Sequence, residues 1–364
     1  MSDSDQLDNL RRQIDQLDVQ LLEIINQRAT LAKQVAEVKI ASGEDVCFYR
    51  PEREVSVLRR VMQNNQGPAT DEGVARIFRE IMSTCLALEK PLKVAFLGPE
   101  GTFTQQAAFQ HFGQAIQTSP LASIDAVFRE VTTAGSEYGV VPVENSTEGV
   151  ITHTLDSFLK YPKVHICGEV VLRIHHNLIS QAQQLSDLGE LVSHEQSFAQ
   201  CRGWLDRYLP AVKRISVASN GEAARLAAEN PEIGAIAGTI AAKIYKVNVL
   251  QNNIEDEPDN TTRFLVIGTQ PVSVTGKDKT SLLLSTDNRP GSLYDMLEPF
   301  SRHAISMTKI ESRPSKQANW EYVFFLDIAG HQDDIDVAAA LSDLRKKVTI
   351  CKLLGSYPTA VIGS

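Results

Sequence analysis

Several groups of residues carry chemistry by type and spacing. In the first forty positions Arg28 interrupts an apolar heptad, with Arg11 upstream and Lys39 downstream. A cation where an apolar side chain is due either sets helix register or holds an anion. Lys39 lies eleven residues on, about three turns and about 16 Å away on the same face, whereas Arg11 is about 25 Å away on another side. One pocket of one chain does not easily hold both Arg11 and Arg28, so for a ligand shared by all three cations an antiparallel dimer in which each pocket borrows Arg11 is the economical arrangement; a solvated face is the alternative for Arg11 and Lys39. A second group is Glu144, Asn145, Ser146 and Thr147, which follow the apolar run Tyr138 to Val141 and precede the helically spaced Ile151 to Leu159. Ligands of open α/β sheets bind at such strand ends, where helix N–H groups converge; a polar turn with Asn145 or Ser146 as N-cap is the alternative. Further groups are the glycine turn Gly98 to Thr104, the cluster Ser193 to Gln196, the cluster Asn252 to Asp256, and Asn260 to Phe264, with Thr262 and Arg263 at its centre. Singly, each of these also reads as a capped turn, and the cluster at 252–256 reads as structural.

Three kinds of element must position these groups. From Leu7 the heptad runs through Leu10, Ile14, Leu17, Leu21, Ile24, Leu31, Val35 and Val38. A helix of this kind cannot bury its stripe alone. Partner helices are expected near 52–66, with Pro51 in the first turn, and near 71–89, with Thr70 as N-cap. After Pro91 the pattern changes to short strands near 93–97, 138–141, 165–173, 212–217, 233–237 and 264–267. They alternate with helices near 105, 123–131, 149–161, 197–208, 220–229 and 239–245. That alternation predicts parallel sheet, and its length predicts two lobes with a cleft between them. After a short charged linker, Lys277 to Lys279, strands near 281–286, 305–310, 322–328 and 348–354 with helices near 292–303 and 334–346 give the order βαββαβ. The expected domains are therefore 1–91, 92–272 and 278–360.

Length and charge narrow the function classes. A chain of 364 residues with 43% hydrophobic and 22% charged content is that of a globular protein of two or three domains. A net charge of -9 without Lys/Arg runs excludes a nucleic-acid or anionic-membrane partner, leaving small molecules and copies of itself. No apolar run reaches the roughly 18 residues of a membrane span, and Met1 to Asp8 lacks signal-peptide order, so the expected location is the cytoplasm. Cys47, Cys85, Cys167, Cys201 and Cys351 show no Cys-x-x-Cys pair, and the eight histidines show no ligand spacing. Reduced thiols, no metal and no cofactor are expected.

Family resemblance adds roles to these residues. Leu10-Arg11, Gln27-Arg28, Lys39 and Arg53-Glu54 ahead of Val57-Leu58 resemble the all-helical chorismate mutase family. The resemblance implies that Arg11 of a partner chain, Arg28 and Arg53 hold the carboxylates of chorismate, that Lys39 faces the ether oxygen, and that Glu54 faces the ring hydroxyl. Glu89 stands where many members carry Gln, and Cys85 where some carry Ser; Glu89 must be protonated to donate to the ether oxygen. The Gly98 to Thr104 turn, Val141 to Asn145, Ser193-His194 with Gln196, and Thr262-Arg263-Phe264 resemble, in order, the prephenate dehydratase family, whose fold is similar to bilobal periplasmic binding proteins. This implies prephenate as substrate and Thr262 as the essential hydroxyl, with Glu144 an alternative acid. Thr102, Asn145, Ser146, Thr147, Ser193, Gln196 and Phe264 would bind the carboxylates or orient the hydroxyl. Arg263 would pair with a substrate carboxylate or with an acidic neighbour such as Glu144. Asp287 to Gly291 and Glu311 to Pro314 resemble the ACT amino-acid-binding domain, implying phenylalanine as effector near Asn288, Gly291, Ser292, Leu293, Glu311, Ser312 and Arg313. The fold class expected is multidomain: an all-α mutase-like unit, a bilobal α/β unit and an α+β ACT module. Together they resemble bifunctional chorismate mutase/prephenate dehydratases, acting as homo-oligomers. A ligand sensor without catalysis and a mutase–dehydrogenase fusion are the competing classes; the first leaves the Arg11, Arg28, Lys39 and Glu54 spacing without a purpose, and the second lacks a dinucleotide fingerprint.

Overall fold

A computed structural model describes residues 3–42, 48–287, 289–314 and 322–361. The helical unit consists of α1 (Asp3–Ala41), α2 (Pro51–Asn64) and α3 (Asp71–Glu89). Pro51 opens α2, and the Thr70 hydroxyl accepts from the Gly73 N–H at 3.1 Å to cap α3. Leu58 of α2 and Ala75 of α3 are fully buried together. The heptad seam of α1 is not covered: Leu17 is 62% and Leu31 61% exposed.

The second unit has two mixed sheets. In the first lobe β1 (Lys93–Leu97), α4 (Phe103–Phe112), β2 (Gln117–Leu121), α5 (Ile124–Thr132), β3 (Tyr138–Asn145), β4 (Gly149–Val150), α6 (Thr152–Lys160) and β5 (His165–Arg173) follow in order. The second lobe contains β6 (Asn177–Ser180), β7 (Glu190–Ser193), α7 (Glu195–Gln200), α8 (Arg202–Tyr208), β8 (Lys213–Ser216), α9 (Asn220–Glu229), β9 (Ile233–Ala237), α10 (Thr239–Tyr245) and β10 (Asn248–Gln251). The chain then returns to the first lobe as β11 (Thr261–Gly268), giving sheet orders β2-β1-β3-β11-β5 and β10-β6-β9-β7-β8. The expectation of parallel sheet holds for β1 with β2 and β3 and for β7 with β8 and β9. It fails for β11 and β6, which run antiparallel to their neighbours because they cross between lobes rather than follow a helix crossover. Glu255 latches the crossing, accepting from the His176 N–H at 2.9 Å and contacting His175 Nδ1 at 2.7 Å. Asp256 accepts from the N–H groups of Gly203 and Trp204 at 2.8 and 3.1 Å, which accounts for the polar cluster at 252–256 as structure.

The polar run at 144–147 lies differently from expectation. β3 continues through Asn145 and turns back as β4, with Glu144 opposite Val150. Gly149 makes the turn at φ +83°, where only glycine is unstrained. The following helix starts at Thr152, so neither Asn145 nor Ser146 caps it. Strands β2, β6, β7 and β10 escape sequence reading because they are four or five residues long and two lie at sheet edges.

The third unit contains β12 (Asp278–Ser285), α11 (Ser292–Arg302), β13 (Met307–Pro314), β14 (Tyr322–Ala329), α12 (Ile335–Arg345) and β15 (Ile350–Pro358), with antiparallel order β13-β14-β12-β15. Both helices pack on one face, where Leu282, Met296, Leu326 and Leu341 form a core. The other face shares a core with the first lobe: Leu283, Phe325, Leu354 and Tyr357 meet Val141, Phe158, Ile166 and Leu265. A Cβ at Gly355 would fall 2.2 Å from the Ile166 carbonyl oxygen, so the backbones of β15 and β5 touch. The expected linker at 277–279 is therefore mostly strand: Asp278 and Lys279 open β12, and Lys279 Nζ lies 2.8 Å from Glu169 of β5.

Candidate active sites

The helical unit encloses a cleft of about 330 Å³. Arg28 and Lys39 of α1, Arg53 and Glu54 of α2, and Cys85 and Glu89 of α3 all line it, joined by Arg50 and Phe112. Arg11 is not brought there; it makes an exposed pair with Asp8 at 3.6 Å. The Lys39 ammonium sits 5.7 Å from the centre of the Phe48 ring. Burial pushes the Glu89 carboxyl above the usual carboxylate range, opposed by Lys39 and Arg28. Burial raises the Glu54 carboxyl as well, opposed by Arg79, whose Nε lies 3.1 Å away. Arg50, Arg79 and Phe112 went unread: Arg79 looks in sequence like one more helix charge, and Phe112 belongs to the next domain.

A second cleft, of about 340 Å³, separates the two lobes. Thr102, Asn145, Thr262 and Phe264 line it from the first lobe, and Gln196 faces them from the second. Thr262 Oγ1 accepts from Asn145 Nδ2 at 2.8 Å. The amide orientation follows from its other end, since Asn145 Oδ1 accepts from the N–H groups of Thr147 and Glu148 at 3.0 and 3.2 Å. Thr262 therefore uses its oxygen towards Asn145 and keeps its hydroxyl proton to donate. The helices α4, α7 and α9 all begin at this cleft, where Thr104, Gln196 and Asn220 stand in their first turns. His194 Nδ1 and the Ser219 hydroxyl accept from the N–H groups of Gln196 and Glu222, and the first-turn N–H groups left uncapped favour carboxylates there.

Other expected residues sit elsewhere. Ser146 and Thr147 are absent from the cleft lining and hold the turn: the Ser146 hydroxyl accepts from the Thr261 N–H at 2.9 Å, and Thr147 Oγ1 donates to Asn145 Oδ1 at 2.6 Å. Ser193 is fully buried and lies 3.1 Å from Asn220 Oδ1, so it positions a lining residue rather than lining the cleft itself. Glu144 and Arg263 are opposite one another but do not pair. Strand alternation sends Asn145 and Thr262 to the cleft and their neighbours to the opposite face. There Glu144 meets Lys309 Nζ at 2.5 Å. Arg263 donates to Glu169 at 2.8 Å, Asp327 at 2.7 Å and the Tyr357 hydroxyl at 3.0 Å. Neither group faces the cleft, which corrects Glu144 as acid and Arg263 as carboxylate clamp. His176, His194, Ser197, Ser219 and Asn220 line the cleft and were not assigned from sequence, although Ser193-His194 adjoined the motif used.

In the third unit Gly291 takes φ +85° at the start of α11, Ser292 Oγ donates to the Arg289 carbonyl at 2.9 Å, and Leu293 is 44% exposed. Glu311 and Ser312 lie on the edge strand β13. Arg313 instead reaches the first lobe, donating to Asp156 at 2.5 Å and to the Thr152 carbonyl at 2.8 Å. Asn288 lies outside the described residues.

The folds and sites define a class: a helical mutase and a bilobal dehydratase joined to an amino-acid-binding module. The family descriptions "Chorismate mutase type II", "Prephenate dehydratase" and "ACT domain" match residues 10–90, 94–272 and 280–346. The bifunctional chorismate mutase/prephenate dehydratase of Pseudomonas aeruginosa is 52% identical over 100% of both chains, and that of Neisseria gonorrhoeae 50% identical over 97% of both. The crystal structure of an Arthrobacter aurescens prephenate dehydratase in complex with L-Phe is 32% identical, with a TM-score of 0.68 over 73% of this chain and 90% of that one. This chain belongs to the bifunctional chorismate mutase/prephenate dehydratase family.

Proposed function

We infer that the chain rearranges chorismate to prephenate in the helical cleft, converts prephenate to phenylpyruvate in the two-lobed cleft, and is inhibited by phenylalanine at the ACT module. In the first reaction an ether C–O bond breaks as a C–C bond forms, and no proton moves. Arg28, Arg53 and Arg11 of a second copy bind the carboxylates. Lys39 and protonated Glu89 stabilise charge on the ether oxygen. Glu54 takes the ring hydroxyl, and Cys85 fills the wall beside Glu89. The exposed α1 seam and the separation of Arg11 from the cleft support a homodimer built on this helix.

In the second reaction the ring carboxylate leaves as carbon dioxide, its electron pair aromatises the ring, and the ring hydroxyl departs as water. The oriented Thr262 hydroxyl carries this reading, because a hydroxide leaves only when a donor hands it a proton. Solvent resupplies that proton. Thr102, Asn145, Gln196 and Phe264 orient the substrate among the helix N-termini. Gly291, Ser292, Leu293, Glu311 and Ser312 form the effector site with Asn288. Cys85, Cys167 and Cys201 are buried and form no disulfide among the described residues, which supports a cytoplasmic location. Incubating purified protein with chorismate and no nicotinamide cofactor tests the whole reading. Phenylpyruvate should accumulate; chorismate left unchanged would refute the mutase step, and prephenate accumulating as end product would refute the dehydratase.

A further inference from the structure

We propose that the dehydratase unit completes the mutase cleft: the C-terminal end of α4 supplies one wall through Phe112 and holds Glu54 in place through Arg79 and Tyr49. This rests on the mutase reading of that cleft.

Phe112 is 3% exposed and lines the cleft, with its ring 5.1 Å from that of Tyr49, which lines it too. Arg79 is the bridge between units. Its Nε donates to Glu54 Oε1 at 3.1 Å and its Nη1 to the Gln110 carbonyl at 2.7 Å. That carbonyl belongs to the last turn of α4, where acceptors lack helical partners and the dipole favours a cation. Tyr49 hydrogen-bonds Glu54 and places its hydroxyl 3.2 Å from His111 Nε2. Burial, reinforced by Arg79, lowers the His111 imidazole to about 3, so this contact is made by a neutral ring throughout the physiological range.

The same turn grips α3, which carries Cys85 and Glu89. Gly113 ends α4 at φ +77°, and a Cβ there would fall 2.5 Å from Ser83 Cβ. The Gln114 N–H donates to Glu80 at 3.0 Å and the Ala115 N–H to the Ser83 hydroxyl at 3.3 Å. Glu54 is thus held by two groups that dehydratase residues anchor, and Glu89 stands on a helix that the same residues grip. A pericyclic reaction gains only from confinement and fixed charge, so a loosened wall and a mobile Glu54 remove what the cleft contributes.

The test uses the full-length protein with Phe112→Ala, Phe112→Leu and Arg79→Lys, measuring kcat and KM from chorismate and from prephenate on the same preparations. Phe112→Ala should lower mutase kcat/KM about tenfold or more, mainly through KM, while dehydratase constants stay within about twofold. Phe112→Leu should recover most of the loss. Arg79→Lys keeps a cation near Glu54 but loses the two-armed bridge, and should lower mutase kcat several-fold with KM less affected. Parental mutase kinetics in Phe112→Ala and Arg79→Lys would overturn the proposal, as would equal loss of both activities, which would mark these as general core residues. A parent protein that turns over no chorismate would instead remove the mutase reading itself.

Discussion

The two clefts are nearly equal in size and receive closely related dianions, yet they are built from opposite materials. Four cations, Arg28, Lys39, Arg50 and Arg53, line the mutase cleft against two carboxyl groups, Glu54 and Glu89. No Lys, Arg, Asp or Glu lines the dehydratase cleft among the described residues; hydroxyls, amides, two histidines and helix N-termini line it instead. The chemistry explains the difference. A rearrangement with no proton transfer depends on a fixed field around its developing charge. A dehydration depends on one donor aimed at one leaving group. Charge therefore dominates the first site and hydrogen-bond orientation the second, and the variants that break each should differ accordingly.

The largest effect is expected at the oriented donor. Thr262→Ala should cut dehydratase kcat by about 10²- to 10⁴-fold while mutase kinetics remain parental, to be measured with prephenate and chorismate in separate assays. Arg28→Ala should lower mutase kcat/KM by about 10²- to 10³-fold and leave the dehydratase untouched. Swapped outcomes would reverse the assignment of the two clefts.

An effect of about tenfold is expected at the regulatory junction. Arg313 is committed to Asp156 of the dehydratase lobe, so Arg313→Ala should raise the phenylalanine concentration for half-inhibition about tenfold while calorimetry still shows phenylalanine binding. Gly291→Ala strains a left-handed position and should weaken binding itself. Loss of binding in the Arg313 variant would return that residue to the effector site.

The smallest effect is a pH profile. Glu89 donates only when protonated, and burial raises its carboxyl, so mutase kcat/KM should be greatest below that raised value and fall several-fold as pH rises through it. Glu89→Gln should flatten the curve, whereas the dehydratase profile should not change. A mutant that titrates like the parent would exclude Glu89 as donor.

Much of the mutase cleft was legible because helical spacing is a long-range ruler: Arg28 and Lys39 share a face whatever the neighbours do. The dehydratase cleft was read less well for a local reason. Side chains alternate between the two faces of a strand at every residue, so motifs such as Glu144-Asn145 and Thr262-Arg263 send adjacent side chains to opposite faces, and a contiguous motif overstates the site. The alternation itself was available; which face met the cleft was not, because β11 pairs with β3 only after the chain has visited the second lobe.

By itself the sequence determined most helix limits and the shared face of Arg28 and Lys39, since these follow from periodicity and capping, while ordered motifs pointed to three units and to Thr262 through family resemblance. Tertiary structure alone decided that Glu144 and Arg263 serve the ACT interface, that Phe112 lines the mutase cleft and Arg79 holds its Glu54, and that Asn145 turns the Thr262 proton outward. Those facts depend on pairings between residues tens to more than a hundred positions apart, and no local pattern encodes which distant backbone arrives beside a given side chain.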